Sequence, residues 1–230
     1  MKMLLPSSHA SIAARHNQSY KAQPALLKSL RSAALFALSS TFLWAVPAPA
    51  AAPTTPAASV NPFIGTSDGP GGGINLFPGA TTPFGMVQLS PDTEAHGYGY
   101  HYGDTAIQGF SMTHMSGPGC PNEGDVFFTA TTGPITTHVQ DFASPYSHSM
   151  ETATPGYYQV RLLQWDINAR LSATDRTGIA QFTFPAGQPA NILLPLSHTL
   201  NYTASSSVHI VGNNQIQGYV EDRVYAPEQK

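Results

Sequence analysis

The stretch that decides the fold is Pro155-Gly156-Tyr157-Tyr158-Gln159-Val160-Arg161-Leu162, followed by Ile167-Asn168-Ala169-Arg170-Leu171. A Pro-Gly turn pair opens a run rich in aromatic and β-branched residues, the composition that fits a pleated, half-buried surface. The second run alternates apolar with polar residues, so one face meets the core and the other meets water. Ile179-Ala180-Gln181-Phe182-Thr183-Phe184 repeats the alternation after Asp175-Arg176-Thr177-Gly178 and stops at Pro185. Three such runs with turn signals between them predict antiparallel strands, not helices.

Working outward, the same reading predicts further strands. Met86-Val87-Gln88-Leu89 is stopped by Ser90-Pro91-Asp92, and Asp125-Val126-Phe127-Phe128-Thr129-Ala130 ends at Gly133-Pro134. Asn191-Ile192-Leu193-Leu194 is a continuous apolar run, the pattern of a buried central strand. Val208 to Val211, Gly212-Asn213-Asn214 and Gln215 to Val220 form a predicted hairpin with a three-residue turn. No stretch beyond Val60 sustains 3.6-residue apolar spacing with caps. The fold class expected is all-β, an antiparallel β-sandwich, incomplete at its C-terminal end.

Composition agrees and narrows the function. The chain has 230 residues, enough for a sizeable core, and only 10% are charged. Fifteen of the 20 glycines fall between Gly65 and Gly133, so the first half is loop-dense and the second strand-dense. Residues 51–160 contain no Lys or Arg but eight Asp and Glu. Such a segment cannot neutralise phosphates, which argues against nucleic acid as a partner. Cys120 is the single cysteine, so no intrachain disulfide or CxxC zinc site forms.

Residues 1–50 carry five cations, then an apolar run through Leu35 and Trp44, then Ala48-Pro49-Ala50. Basic, apolar, small is the order of a secretory signal, and the apolar part is shorter than the roughly 20 residues of a membrane span. The expected organisation is a signal peptide over 1–50, a linker over 51–59 and one domain over 60–230. The expected destination is secreted or periplasmic, with no membrane attachment after cleavage.

The Gly-rich half holds the candidate site residues. Gly97-Tyr98-Gly99-Tyr100-His101-Tyr102-Gly103 alternates rings with glycines. Tyr98, Tyr100 and Tyr102 either stack on sugar faces and hydrogen-bond to sugar hydroxyls or pack into the core. In Thr113-His114-Met115-Ser116-Gly117-Pro118-Gly119-Cys120-Pro121-Asn122-Glu123-Gly124-Asp125, four side chains have ligand or nucleophile chemistry: His114, Cys120, Glu123 and Asp125. If Glu123 to Asp125 is extended, the two carboxylates share a face about 7 Å apart, near the window of an inverting glycosidase pair. A hydrogen-bonded turn pair is the plainer alternative.

Taken together, the motifs resemble one family. Val60-Asn61-Pro62-Phe63-Ile64-Gly65-Thr66, Phe77-Pro78-Gly79-Ala80-Thr81-Thr82-Pro83-Phe84-Gly85-Met86-Val87-Gln88-Leu89-Ser90-Pro91-Asp92 and Gly99-Tyr100-His101-Tyr102 resemble the N-terminal domain of glycoside hydrolase family 92. So do Gly109 to Gly117, Gly124-Asp125, Tyr146-Ser147-His148, Pro155 to Val160, Ala173 to Gly178 and Ala190 to Leu194. The resemblance covers about residues 60–220. Where many family members carry a Trp before the matching Gly-Tyr-His-Tyr, this chain has His96-Gly97-Tyr98.

The resemblance implies a secreted, calcium-dependent, inverting exo-α-mannosidase acting on mannose-containing glycans. It also implies a β-sandwich packed on a C-terminal (α/α)6 barrel that supplies both catalytic acid and base. Glu123 and Asp125 are therefore not a catalytic pair, and no catalytic residue is expected in this chain. The substrate-binding candidates are Tyr98, Tyr100, His101, His114, Cys120 and Glu123, contributed by loops to the sugar pocket. Ca2+ is the implied cofactor, with no ligand assigned. A stand-alone carbohydrate-binding sandwich and an inactive remnant of a larger gene are the alternatives.

Overall fold

The computed structural model describes residues 55–67, 76–93, 99–117 and 123–222. The predicted signal peptide, residues 51–54 of the linker, Tyr98 and Cys120 lie outside the described residues. Twelve strands and three short 3-10 turns make up the described chain, and it contains no α-helix. No helix among the described residues is long and apolar enough to cross a membrane.

The first strands are β1 (Ala80–Thr81), β2 (Gln88–Thr93), β3 (Ala106–Ser111), β4 (Thr129–Thr131) and β5 (Ser144–Pro145). Then follow β6 (Glu151–Thr154), β7 (Tyr157–Leu162), β8 (Ile167–Ala173), β9 (Gly178–Thr183) and β10 (Asn191–Leu193). The last two are β11 (Thr203–Val211) and β12 (Gln215–Asp222). One four-stranded sheet runs β1-β2-β3-β5 and another β6-β7-β8-β9, while β4 pairs with β10 and β11 with β12. Every pairing is antiparallel.

The two four-stranded sheets meet where β1 and β2 pack on β7 and β8. Leu89, Ile107 and Phe110 from one sheet and Tyr158, Val160, Leu162, Ile167, Ala169 and Leu171 from the other fill the space between them. Alternation sets which residues these are. β8 is buried at Ile167, Ala169 and Leu171 and wetter between, as its sequence predicts. Burying a side chain of this size contributes about 1.5–3 kcal/mol, so this small set dominates the stability of the sandwich.

Three local expectations need correction. β2 does not stop at Ser90 but runs through Pro91 to Thr93. Pro91 faces Phe110, whose own N–H and C=O are both taken by Phe128, so the missing proline N–H costs no ladder bond. The strand expected from Asp125 begins only at Thr129, because Val126 sits at φ 53°, which breaks extended pairing. β10 is no buried central strand. Its three residues are half-buried and pair with β4 alone.

The hairpin reading holds: Val211 pairs with Gln215 across Gly212-Asn213-Asn214, and Gly212 adopts φ 65°. Its arms are longer than predicted, and Ile210, Ile216 and Tyr219 remain exposed.

Candidate functional site

The segment carrying Tyr98 leaves β2 after Thr93 and returns at Gly99, whose carbonyl accepts the Thr93 N–H at 2.7 Å. The segment carrying Cys120 leaves after Gly117 and returns at Glu123, and the Gly124 N–H donates to the Thr113 carbonyl at 3.1 Å. Beneath both returns lies one buried pair. His114 Nε2 is 2.9 Å from Asp92 Oδ1, and both side chains are 1% exposed.

The environment of His114 fixes its charge. Nδ1 lies 2.7 Å from the Gln88 carbonyl oxygen, and Nε2 faces the Asp92 carboxylate. A carbonyl and a carboxylate oxygen can only accept, so this geometry favours an imidazolium; the Ser111 hydroxyl is a second neighbour of Nε2 at 3.3 Å. Burial pulls its pKa down, but the Asp92 carboxylate and the Gln88 carbonyl outweigh that, and the net shift is upward. Phe77 covers the ring at 5.1 Å between centroids.

Gly99 makes room for this pair. A Cβ on Gly99 would lie 2.6 Å from His114 Cδ2 and 3.2 Å from Asp92 Oδ1. Gly99 also has φ 89°, which side chains rarely adopt. Gly109, opposite Asp92 in the ladder, has the Phe127 ring seated where its Cβ would be.

The return at Glu123 is strongly bent. Glu123, Gly124 and Val126 all have positive φ, at 62°, 77° and 53°. The segment is therefore not extended, and the condition for Glu123 and Asp125 to share a strand face is not met. The Thr113 hydroxyl is 3.4 Å from Asp125 Oδ2 and accepts the Asp125 N–H at 2.9 Å, a turn-type arrangement. Burial raises both carboxyl pKa values, and the Asp222 carboxylate on β12 raises them further; His114 opposes this at Glu123.

Of the remaining candidates, Tyr100 joins a second network. Tyr100 is turned into the core, where its hydroxyl donates to Glu151 Oε2 at 3.2 Å. The Tyr158 hydroxyl donates to Glu151 Oε1 at 2.6 Å. His148 sets Nδ1 2.6 Å from Glu151 Oε2 and stacks on Tyr102 at 3.8 Å. Burial beside Glu151 pushes Tyr100 and Tyr158 far above the ordinary phenol range and Tyr146 to about 12. Tyr100 and Tyr102 thus part company, one in the core and one half-exposed on the surface. His101 is buried beside Asp104, at 3.5 Å. Phe63 packs edge-on against Tyr102, and the Tyr102 N–H donates to the Thr66 carbonyl at 2.7 Å, which joins the first motif to the Tyr-Gly motif.

His198 was invisible to sequence reasoning. It lies in the β10–β11 connection, edge-on to Phe127 at 4.2 Å, in a segment latched down by the Leu200 N–H donating to the Glu123 carbonyl at 2.9 Å. Asp92 and Glu151 were missed too. Asp92 belongs to the Ser90-Pro91-Asp92 run whose composition predicts the end of a strand, and no local pattern marks Glu151 as a buried hub.

Comparison with known proteins gives this arrangement a family. The model of the glycosyl hydrolase family 92 N-terminal domain matches residues 59–230. The family GH92 alpha-mannosidase BT3965 from Bacteroides thetaiotaomicron is 37% identical, with a TM-score of 0.65 over 70% of this chain and 23% of that one. The GH92 family glycosyl hydrolase ccman5 is 28% identical, with a TM-score of 0.66 over 74% of this chain and 24% of that one. The GH92 inverting mannosidase BT2199 from Bacteroides thetaiotaomicron VPI-5482 is 26% identical, with a TM-score of 0.61 over 75% of this chain and 23% of that one. No curated protein matches. This chain therefore spans about a quarter of the length of its solved relatives. A family match over nearly all of the strand-bearing chain, with the same fold in solved members, shows that this protein belongs to glycoside hydrolase family 92 and carries that family's N-terminal domain.

Proposed function

We propose that this domain forms the sandwich wall of a mannose-binding pocket in a secreted, inverting α-mannosidase, with the proton-handling groups on a separate C-terminal barrel. The observation that carries the reading is the convergence of two candidate loops on one buried ion pair. The segments bearing Tyr98 and Cys120 return to the scaffold at Gly99 and Glu123, beside Asp92–His114. A rigid β scaffold that gathers variable loops at one place is the usual build of a binding site.

Two further features support it. Residues 51–160 carry no Lys or Arg, which favours a neutral ligand such as a glycan. Ile216, Tyr219, Val208, Leu194 and Val126 line an apolar hollow beside the exposed hairpin, a surface suited to being covered by more protein.

Calcium has no assigned ligand among the described residues. It takes about 6–8 oxygen ligands, and no three His, Cys, Asp or Glu among the described residues are placed to hold a metal. Calcium dependence in this reading rests on the family resemblance, and no step is routed through the ion.

Titration with mannobiose, followed by tyrosine and tryptophan fluorescence, tests the binding role. A saturable change is expected. No change up to millimolar sugar counts against it.

A further inference from the structure

Asp92 uses only half of its carboxylate on His114. Its Oδ2 is buried and has no hydrogen-bond partner among the described residues. His198 Nε2 is likewise shielded from solvent without a partner. Such atoms are rare in native proteins, because each forfeits the hydrogen bond it would make in water unless something fills the role.

The two residues belong to one neighbourhood. Asp92 lies opposite Gly109, the Phe127 ring fills the space over Gly109, and His198 abuts the same ring. The Asp92 charge also reaches His198. Burial nevertheless holds the His198 pKa below the ordinary imidazole value, so the ring favours its neutral form.

Charge selects the guest. The His114 imidazolium already balances Asp92, so a second cation would be in excess. An anion would meet the carboxylate. A neutral imidazole N–H and a carboxylate oxygen are together satisfied by a group that accepts one hydrogen bond and donates another. A hydroxyl does both.

We propose that Asp92 Oδ2 and His198 Nε2 jointly hold one uncharged hydroxyl, which donates its O–H to the carboxylate and accepts the imidazole N–H. The hydroxyl belongs either to a water molecule or to a sugar; the sugar source rests on the mannose-pocket reading, whereas the water source does not.

Long-range 1H–15N NMR of the histidine rings in the full chain tests this, with methyl α-D-mannopyranoside as the added probe. A protonated His198 Nε2 with a cross-peak to bound water, unmoved by sugar, supports the proposal and assigns the hydroxyl to water. A saturable shift of that resonance on adding sugar supports it and assigns the hydroxyl to the sugar. The variant His198→Phe keeps a ring against Phe127; it should remove the signal, leave the amide spectrum folded and leave the His114 resonances in place. An unprotonated Nε2, or one bonded directly to Asp92 with no water contact and no sugar response, overturns the proposal. Mannobiose binding seen by fluorescence while His198 Nε2 shows neither a water cross-peak nor a shift overturns it too and leaves the pocket reading intact.

Discussion

His114 donates to Asp92 across 2.9 Å from a site where neither side chain meets solvent, and its other nitrogen is held by the Gln88 carbonyl. β2 supplies both acceptors, so the ion pair ties the turn after β3 to the strand beside it. It is also the floor on which two candidate loops return.

Breaking that pair leaves a buried carboxylate uncompensated. The variant His114→Ala should cost about 3–5 kcal/mol, the usual penalty for removing one partner of a buried pair. Urea denaturation at neutral pH measures it, and a loss under about 1 kcal/mol would mean that Asp92 is not charged in the folded chain.

The same residue gives a pH dependence with a defined sign. The His114 pKa is raised on folding, so the folded chain binds the proton more tightly than the unfolded one. Its stabilisation is complete below the unfolded value of about 6.5 and is lost as pH rises through the folded value. Melting temperature recorded from pH 6 upward should fall over that window, and His114→Ala should flatten the fall.

Glu151 gathers Tyr100, Tyr158 and His148. The variant Tyr158→Phe keeps the ring in the core but removes a hydrogen bond to a carboxylate. Its expected cost is about 1.5–3 kcal/mol by equilibrium denaturation.

Glycines separate by what their missing Cβ would meet. At Gly109 it would meet the Phe127 ring and, at 2.7 Å, the Phe128 carbonyl, so neither wall gives easily. Gly109→Ala should cost about 1–3 kcal/mol by overpacking. At Gly178 the nearest atom is the flexible Met112 Cε at 2.7 Å. Gly178→Ala should therefore be much milder, and equal losses in the two melting curves would refute the distinction.

Asp222 raises the carboxyl pKa of both Glu123 and Asp125. In Asp222→Asn, both values should move down toward the ordinary carboxylate range. Carbon-13 carboxyl titration reads this directly, and unmoved values would place Asp222 too far away to matter.

Local pattern carried most of the fold. β7, β8 and β9 lie within two residues of where alternation and turn signals put them, because a period of two is a short-range property. β6, Glu151-Thr152-Ala153-Thr154, was not legible, since its polar sequence is held as a strand by pairing with β7. The site was legible only in part. His114 and Glu123 sit in a conspicuous motif, but the His114 partners Asp92 and Gln88 are 22 and 26 residues away. Only the fold brings these together. Tyr100, the centre of the aromatic motif, serves the buried Glu151, which no spacing rule reveals.

The most direct test of the central claim, that this domain is a pocket wall without its own proton-transfer pair, is an assay of the purified chain on an aryl α-mannoside with calcium present. The account predicts no turnover above the buffer rate. Sustained, enzyme-dependent release of the aryl group would contradict it.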